Sequence, residues 1–329
     1  EIILEPRWDE AEYNRLMQGL ETSLKDRESN PNAIASLAYN QLLYGKNHPF
    51  AIPGSGTLET FKNISLNDLK TYYNNLVPEN ANFHIAGAMS KSETLSVLET
   101  LNTWKGQAPQ IPTFNLPSEN NKNTIYFIDV PDSKQSVFNI GKLALSATND
   151  DADNLDFANE ILGGGSSGRL FQTLRIEKGY TYGAYSGTGN SLEVAPFTVR
   201  TSVRANATLK SLEIIKDMVA NYADNFTEAD VELTRNKLLK ANTRAYESLG
   251  AKLSILRNIS KYGYSNDYIE KNQAELIAMT LDDYKNTINN YLQEPEMIYV
   301  IVGDKATQWS EVKKLGKPVV ELDIFGNPI

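Results

Sequence analysis

Apolar and polar positions along the chain follow two periods, one close to 3.6 residues and one of two residues. The first period predicts amphipathic helices, and the second predicts strands with one buried face. Helices are predicted at 9–28, 32–44, 65–76, 92–104, 155–162, 169–178, 209–223, 228–247, 251–262, 268–278, 281–292 and 308–315. Strands are predicted at 82–88, 124–130, 136–146 and 180–187, in a further stretch that ends at 203, and at 297–302. This order predicts an α+β fold, in which helices cover one face of a mainly antiparallel sheet.

The same order of elements occurs twice in the chain, at an offset of 215 to 218 residues. In both copies a capped helix of similar length precedes an apolar strand that ends in glycine. Three pairs of segments show the correspondence, namely 8–12 with 226–230, 44–45 with 262–263, and 83–87 with 299–303. The chain is therefore expected to contain two copies of one α+β unit.

The two copies differ in length before the shared pattern begins. The second copy has 104 residues between its first strand and Glu228, whereas nine residues precede Glu10 in the first copy. The first copy is therefore expected to be truncated at its N-terminus by about 95 residues. This predicts residues 1–110 as the second half of one domain, 111–122 as a proline-containing linker, and 123–329 as a complete domain.

The segment from Gly163 to Gly187 combines a loop, a helix and a strand. The helix is predicted from Arg169 to Lys178, so that Arg175 lies in its last turn and Tyr182 on the strand that follows. A guanidinium and a phenol in these places are good hydrogen-bond donors towards a carbonyl or an oxyanion. On spacing alone, the simpler interpretation is that Arg175 complements the helix dipole and Tyr182 is a half-buried strand residue. The candidate loop residues are Gly163, Gly164, Gly165 and Ser167.

Composition excludes several classes of function. The chain is 41% hydrophobic and 22% charged, as is normal for a globular protein, and its net charge of −9 argues against nucleic-acid binding. No apolar run approaches the roughly 18 residues that a membrane-spanning helix needs. The absence of cysteine excludes disulfides, thiol catalysis and cysteine-bound zinc. It does not identify a compartment, and a periplasmic or secreted location is only a guess.

No set of residues in the sequence forms a recognisable zinc site. A catalytic zinc ion needs three protein ligands in one place, and the only two histidines, His48 and His84, are 36 residues apart. His48 precedes a proline in a loop, and His84 lies within a predicted strand. Both are therefore interpreted as structural residues.

The segment 163–187 resembles the C-terminal domain signature of the pitrilysin/insulinase-type zinc metallopeptidases. A serine- and glycine-rich loop is followed by an arginine-leucine-phenylalanine triplet, a leucine-arginine pair, and a tyrosine seven residues after the second arginine. The residues that carry the resemblance are Ser167, Arg169, Leu170, Phe171, Leu174, Arg175 and Tyr182. The resemblance implies that Arg175 and Tyr182 reach across a chamber to the zinc site of another domain and hold the scissile region of a peptide there.

The catalytic motif of that family is absent from this chain. The motif is H-x-x-E-H, whose histidines bind zinc and whose glutamate activates water. Glu21 lies near the position of the family's third zinc ligand, and two interpretations stay open for it: a ligand, or a solvent-facing helical glutamate. No metal and no cofactor is expected in this chain, although zinc is expected in the intact enzyme.

The resemblance therefore implies an inactive part of a zinc metallopeptidase, which does not hydrolyse peptides alone and presents Arg175 and Tyr182 to a zinc site elsewhere. The implied partners are the remaining N-terminal part of the parent peptidase, or a catalytic partner subunit, together with a peptide substrate. Neither nucleic acid nor membrane insertion is expected. The alternative is a purely structural scaffold derived from the same family, with no role in proteolysis.

Overall fold

The computed structural model describes residues 1–116, 121–244 and 246–329. The chain divides into two compact units, each assembled from three separate segments. The first unit contains Glu1–Arg27, Pro53–Asn115 and Arg244–Tyr264. The second unit contains Glu28–Ile52, Leu116–Thr243 and Ser265–Ile329.

Twelve α-helices and six strands form the described part of the chain. The helices are α1 (Glu10–Glu28), α2 (Pro31–Tyr44), α3 (Leu66–Tyr73), α4 (Lys91–Leu98), α5 (Ala152–Gly163), α6 (Arg169–Phe171), α7 (Thr208–Ala220), α8 (Glu228–Asn242), α9 (Leu249–Tyr262), α10 (Tyr268–Ala278), α11 (Leu281–Tyr291) and α12 (Lys305–Lys313). The strands are β1 (Ile125–Asp129), β2 (Gln135–Leu145), β3 (Thr181–Thr188), β4 (Ala195–Arg204), β5 (Ile298–Gly303) and β6 (Val319–Leu322). None of the described helices is long and apolar enough to cross a membrane.

The second unit is built on one six-stranded sheet with the order β3-β4-β2-β5-β1-β6. The pairs β3–β4, β4–β2 and β2–β5 are antiparallel, whereas β1 pairs in parallel with both β5 and β6. The α+β class and the mainly antiparallel sheet are therefore confirmed. Because β3 stands at one end of this order, one side of β3 has no neighbouring strand in the described residues.

Helices cover both faces of this sheet, so the expectation of helices on one face is wrong. One face packs against α5, α7 and α11 through residues that include Phe127 and Phe138. The opposite face packs against α2, whose Tyr39 hydroxyl donates to the carbonyl of Phe197 at 3.2 Å. A Cβ on Gly141 would lie 2.5 Å from that hydroxyl, so glycine makes room for Tyr39. The reason lies in β5, where all six residues are buried and both faces must be covered.

The two copies of the repeat show the same order of elements. Helices α3 and α11 both begin with a capping box, built from Ser65 and Asp68 in α3 and from Thr280 and Asp283 in α11. In each copy a 3₁₀ turn follows, and α4 and α12 then begin at a capping side chain. The copies exchange one helix, because α2 belongs to the second unit and its counterpart α9 to the first.

The first unit has a small core, and its described residues form no sheet. Trp8 and Tyr73 make an edge-to-face contact at 5.6 Å, and the indole of Trp104 donates to the carbonyl of Leu76 at 2.9 Å. The strand expected at 82–88 is wrong, since these residues pair with no strand in the described part of the chain. An extended segment without a neighbouring strand cannot form ladder hydrogen bonds.

The compact units do not follow the domain boundaries that the repeat predicts. Residues 28–52 fall in the second unit although they lie within the first copy of the repeat. Part of the expected linker at 111–122, residues 117–120, lies outside the described residues. The division into 1–110, 111–122 and 123–329 follows the repeat and stays a prediction.

Candidate functional site

The glycine loop after α5 allows a close approach between that helix and β3. A Cβ on Gly163 would overlap both Oγ and the backbone nitrogen of Ser186. A Cβ on Gly168 would lie 2.9 Å from Gly163 Cα. Neither glycine has a positive φ. The loop therefore uses glycine for space rather than for a left-handed backbone.

Side chains from α5 and α8 hold the loop in place. The Lys237 ammonium group pairs with the carboxylate of Glu160 and donates to Ser167 Oγ at 3.0 Å. The amide of Gln172 donates to the carbonyl of Ser166 at 2.7 Å. These contacts tie the loop to α8 and to the helical segment that follows the loop.

Arg169 fixes the start of the next helix. Its guanidinium donates to Asp230 at 2.8 Å and to the carbonyl of Asn225 at 3.0 Å, and it lies over the ring of Tyr222. Asp230 also closes the capping box of α8 by accepting from Thr227. Arg169 is thus a structural member of the signature, because all these partners belong to the same unit.

The helix expected at 169–178 is α-helical only in its first turn. After the short α6 it continues as a π-helix over Gln172–Glu177, in which Lys178 donates its backbone N–H to Thr173 at 3.0 Å. Gly179 follows with a φ of 61° and reverses the chain, as expected for a residue just beyond a helix. Arg175 therefore lies on a widened helical turn, of a kind that is frequent at functional sites.

Arg175 and Tyr182 meet at the surface of the second unit. The guanidinium carbon lies 5.1 Å from the centre of the tyrosine ring, within the range of a cation–π contact. Tyr182 is 83% exposed, and Arg175 forms no ion pair within the described residues. The pairing of β3 with β4 shifts its register between Thr181 and Ala184, next to Tyr182. Such irregularities bend a strand and redirect its side chains.

The structure thus brings together the two donors that the sequence singles out. They are in contact with each other, and neither is buried. The simpler expectation of a half-buried Tyr182 does not hold, because its ring is almost fully accessible. A phenol and a guanidinium placed in this way can donate to a carbonyl or a carboxylate that approaches from outside the unit.

No metal site is assembled in the described residues, where no group of three or more histidine, aspartate or glutamate side chains could hold an ion. Glu21 pairs with Lys25 at 2.8 Å, and this hydrogen bond lowers the pKa of its carboxyl group. His48 is buried, stacks on Tyr44 and accepts the backbone N–H of Phe50 on Nδ1 at 3.1 Å. Glu21 and His48 therefore both have structural partners.

The second unit also contains an acidic cavity of about 330 Å³ that the sequence did not reveal. Burial, and next the charge of Asp153, raise the pKa of Glu275. The hydroxyl of Tyr291 donates to Asp151 at 2.5 Å, which raises the pKa of the tyrosine to about 12. The acidic run Asp150–Asp151 was the sequence signal for this cavity. Sequence spacing could not show that residues of α10 and α11 line the cavity together with Asp151. Polar lining residues are Asp151, Asn154, Glu275, Asp283, Asn286, Thr287 and Asn290.

Comparison with known families identifies the chain. The family model described as the peptidase M16 inactive domain matches residues 63–238, more than half of the chain. The chain belongs to this family. The resemblance of segment 163–187 to the pitrilysin/insulinase-type peptidases is thereby confirmed.

Two curated relatives differ in how they are named. The chain is 21% identical over 311 residues to the non-peptidase homolog YmxG of Helicobacter pylori, covering 93% of this chain and 71% of that protein. It is 24% identical over 260 residues to the uncharacterized zinc protease YmxG of Bacillus subtilis, covering 77% of this chain and 61% of that one. The chain thus spans less than two thirds of the second relative.

Solved structures show the same fold. A peptidase M16 inactive domain from Pseudomonas fluorescens superposes with a TM-score of 0.83 at 24% identity, over 92% of this chain and 73% of that one. A chain of complex III from Candida albicans superposes with a TM-score of 0.68 at 14% identity, over 90% and 74%. At these identities the likeness concerns the fold alone.

Proposed function

We propose that this chain is a non-catalytic part of a zinc peptidase, which walls a substrate chamber and holds peptide against a zinc site located elsewhere. The observation that carries the proposal is the Arg175–Tyr182 pair on the exposed surface beside β3. The zinc site belongs to the rest of the parent protein or to a partner subunit. Zinc is therefore absent from this chain and present in the complete enzyme.

The geometry of the pair suits a peptide bond better than an internal structural role. Arg169, by contrast, has the carboxylate of Asp230 as a partner inside the unit. Among the residues that the structure describes, Arg175 contacts the exposed ring of Tyr182 and forms no ion pair, so both donors keep their hydrogen-bonding capacity for a ligand. Donors that point to developing negative charge stabilise a tetrahedral transition state more than the planar substrate.

The second candidate function is a structural scaffold without a role in proteolysis. This function is suggested by the names of two similar proteins, the non-peptidase homolog of Helicobacter pylori and a chain of complex III from Candida albicans. In a scaffold, the surface around Tyr182 would contact another protein or have no binding role. Under that function, Arg175 and Tyr182 would be exchangeable without catalytic consequence.

The test is peptide cleavage by the complete protein, or by this chain together with its catalytic partner. We expect Tyr182→Phe and Arg175→Ala each to lower kcat/KM by roughly 10²–10³, the usual effect of losing one such donor. Zinc content should stay unchanged. Arg204→Ala is the matched control, since Arg204 makes a second cation–π contact, at 5.3 Å from the ring of Tyr180.

Unchanged kcat/KM in both variants, in an enzyme whose wild type cleaves peptide, would exclude this role for the pair. Failure to find any zinc-dependent cleavage in the complete protein would instead favour the scaffold. An equal loss in Arg204→Ala would show that the assay reports general damage to β3 and β4.

A further inference from the structure

We propose that Arg200 on β4, together with Tyr185 opposite it on β3, forms a subsite for an acidic side chain of a bound peptide. The second unit would thereby select peptides that contain glutamate or aspartate. This inference rests on the peptide-holding role proposed for Arg175 and Tyr182, and it names the class of peptide that they hold. The pair of Tyr185 and Arg200 is called the acidic subsite below.

Helix α2 covers only part of the sheet face on which the acidic subsite lies. The apolar cluster around α2 includes residues of β1, β2, β5 and β6, but none of β3 or β4 among the described residues. Arg200 stands opposite Asn139 on β2 and opposite Tyr185 on β3. These three side chains share the face of Val137, which belongs to the cluster. Arg200 is exposed and Tyr185 is 45% exposed, so this half of the face is open to a ligand.

Contacts with the signature segment place the acidic subsite next to Tyr182. The ring of Phe171 lies 5.7 Å from that of Tyr185, and Arg175, about one helical turn further on, contacts Tyr182. A Cβ on Gly183 would lie 2.7 Å from the ring of Tyr185. Glycine at this position therefore lets the ring lie across the backbone between the two tyrosines. An extended peptide advances by about 3.3 Å per residue, so a peptide held at Tyr182 can reach Tyr185 within a few residues.

Arg200 has no carboxylate partner in the part of the chain that the structure describes. Arg169 and Arg235 of the same unit each pair with an acidic side chain, at 2.8 Å and 2.5 Å. The chain as a whole has a net charge of −9, so acidic side chains are not scarce. A guanidinium binds a carboxylate through two parallel hydrogen bonds. An acidic side chain is therefore the ligand whose charge and shape complement Arg200.

The residues around Arg200 do not neutralise it. Asn139 and Tyr185, which stand opposite it, carry no charge, and neither do Thr198 and Ser202, its neighbours along the same face of β4. The phenol of Tyr185 can donate a second hydrogen bond to a carboxylate held by Arg200, and its ring can pack on the aliphatic part of the same side chain. Charge and contact area thus favour the same ligand.

Binding of three matched peptides to the 329-residue chain tests the proposal. One unstructured fluorescent peptide contains glutamates, and the other two carry glutamine or lysine at the same positions. All three have an amidated C-terminus, so that glutamate side chains supply the only carboxylates. Each peptide is titrated by fluorescence anisotropy with wild type, Arg200→Gln, Arg200→Glu and Arg204→Gln. Arg204→Gln is the matched control, because it removes the same charge from the same strand at a guanidinium that lies over Tyr180.

We expect wild type to prefer the glutamate peptide to the glutamine peptide. This preference should fall about fivefold in Arg200→Gln, the upper range for one exposed ion pair, whereas affinity for the glutamine peptide and the preference of Arg204→Gln should stay unchanged. Arg200→Glu should bind the lysine peptide better than the glutamate peptide, because the reversed charge inverts complementarity. Added salt should weaken the preference of wild type, and this gives the comparison without substitution if a variant does not fold.

Three results would overturn the acidic subsite: a wild type that does not prefer glutamate, a preference that persists in Arg200→Gln, or an equal loss in Arg204→Gln. The role proposed for Tyr182 fails in a different way, because Tyr182→Ala would then leave the affinity for all three peptides unchanged. Absence of binding by every peptide would overturn both proposals.

Discussion

The two arginines of the signature segment lie six residues apart and have opposite surroundings. Arg169 donates to Asp230 and to the carbonyl of Asn225, both within the second unit. Arg175 lies over the exposed ring of Tyr182. Arg169 is therefore fixed by partners inside the unit, whereas Arg175 stays accessible to a ligand. Changes at the start should alter stability, and changes at the end should alter function.

The largest effect on stability is expected from Gly163→Ala, at the start of the signature segment. The added methyl group would overlap the backbone nitrogen of Ser186, so α5 and β3 must move apart. Such overpacking typically costs about 1–3 kcal/mol. Urea denaturation should show the loss, and Gly165→Ala is the matched control because its nearest neighbour is the flexible end of Lys237 at 3.3 Å. Equal stability of the two variants would contradict the close-packing role of Gly163.

A somewhat smaller loss of stability is expected from Arg169→Ala. It removes a partly buried ion pair and leaves the carbonyl of Asn225 without this donor. Hydrogen bonds to charged groups typically contribute about 1.5–3 kcal/mol, and partial exposure places this one at the lower end. The free energy of unfolding should fall accordingly, whereas Arg175→Ala should change it by about 0.5 kcal/mol or less. The reverse order would invalidate the comparison of the two arginines.

A still smaller and pH-dependent effect is expected in the acidic cavity, away from both arginines. The pKa of Glu275 is raised in the folded state, so its stabilising contribution is present below the pKa of the unfolded chain and lost as pH rises through the folded value. Glu275→Gln should therefore raise the melting temperature relative to wild type at neutral pH. This gain should disappear below about pH 4. Glu270→Gln, on the same helix, is the control, and a gain that does not depend on pH would rule out titration as the cause.

Much of this arrangement could be predicted from local sequence. The capping boxes at Ser65 and Thr280 and the positive φ of Gly179 depend on neighbours within a few residues, so local sequence is enough to specify them. The strands of the second unit could be located because each is a short run rich in apolar residues. The contact between Arg175 and Tyr182 could also be predicted, because the end of a helix lies close to the start of the strand that follows it after a short turn.

Other features depend on contacts that sequence periodicity does not specify. The pattern of α2 marks an apolar face, but it cannot say that Tyr39 reaches the sheet of the second unit. The π-helix at Gln172–Glu177 has a width that periodicity of 3.6 residues cannot predict. Residues 82–88 read as a strand because their apolar pattern matches that of β5, although no strand pairs with them in the described part of the chain.

Peptide binding by the 329-residue chain tests the central claim most directly: that Arg175 and Tyr182 hold peptide without a metal in this chain. The measurement is fluorescence anisotropy of an unstructured labelled peptide titrated with wild type, Tyr182→Ala and Arg204→Ala, with and without a metal chelator. The account predicts binding that the chelator does not change, that Arg204→Ala leaves intact, and that Tyr182→Ala weakens about fivefold or more, as expected for an exposed aromatic anchor. Binding that is unaffected by Tyr182→Ala, or that the chelator abolishes, would contradict it.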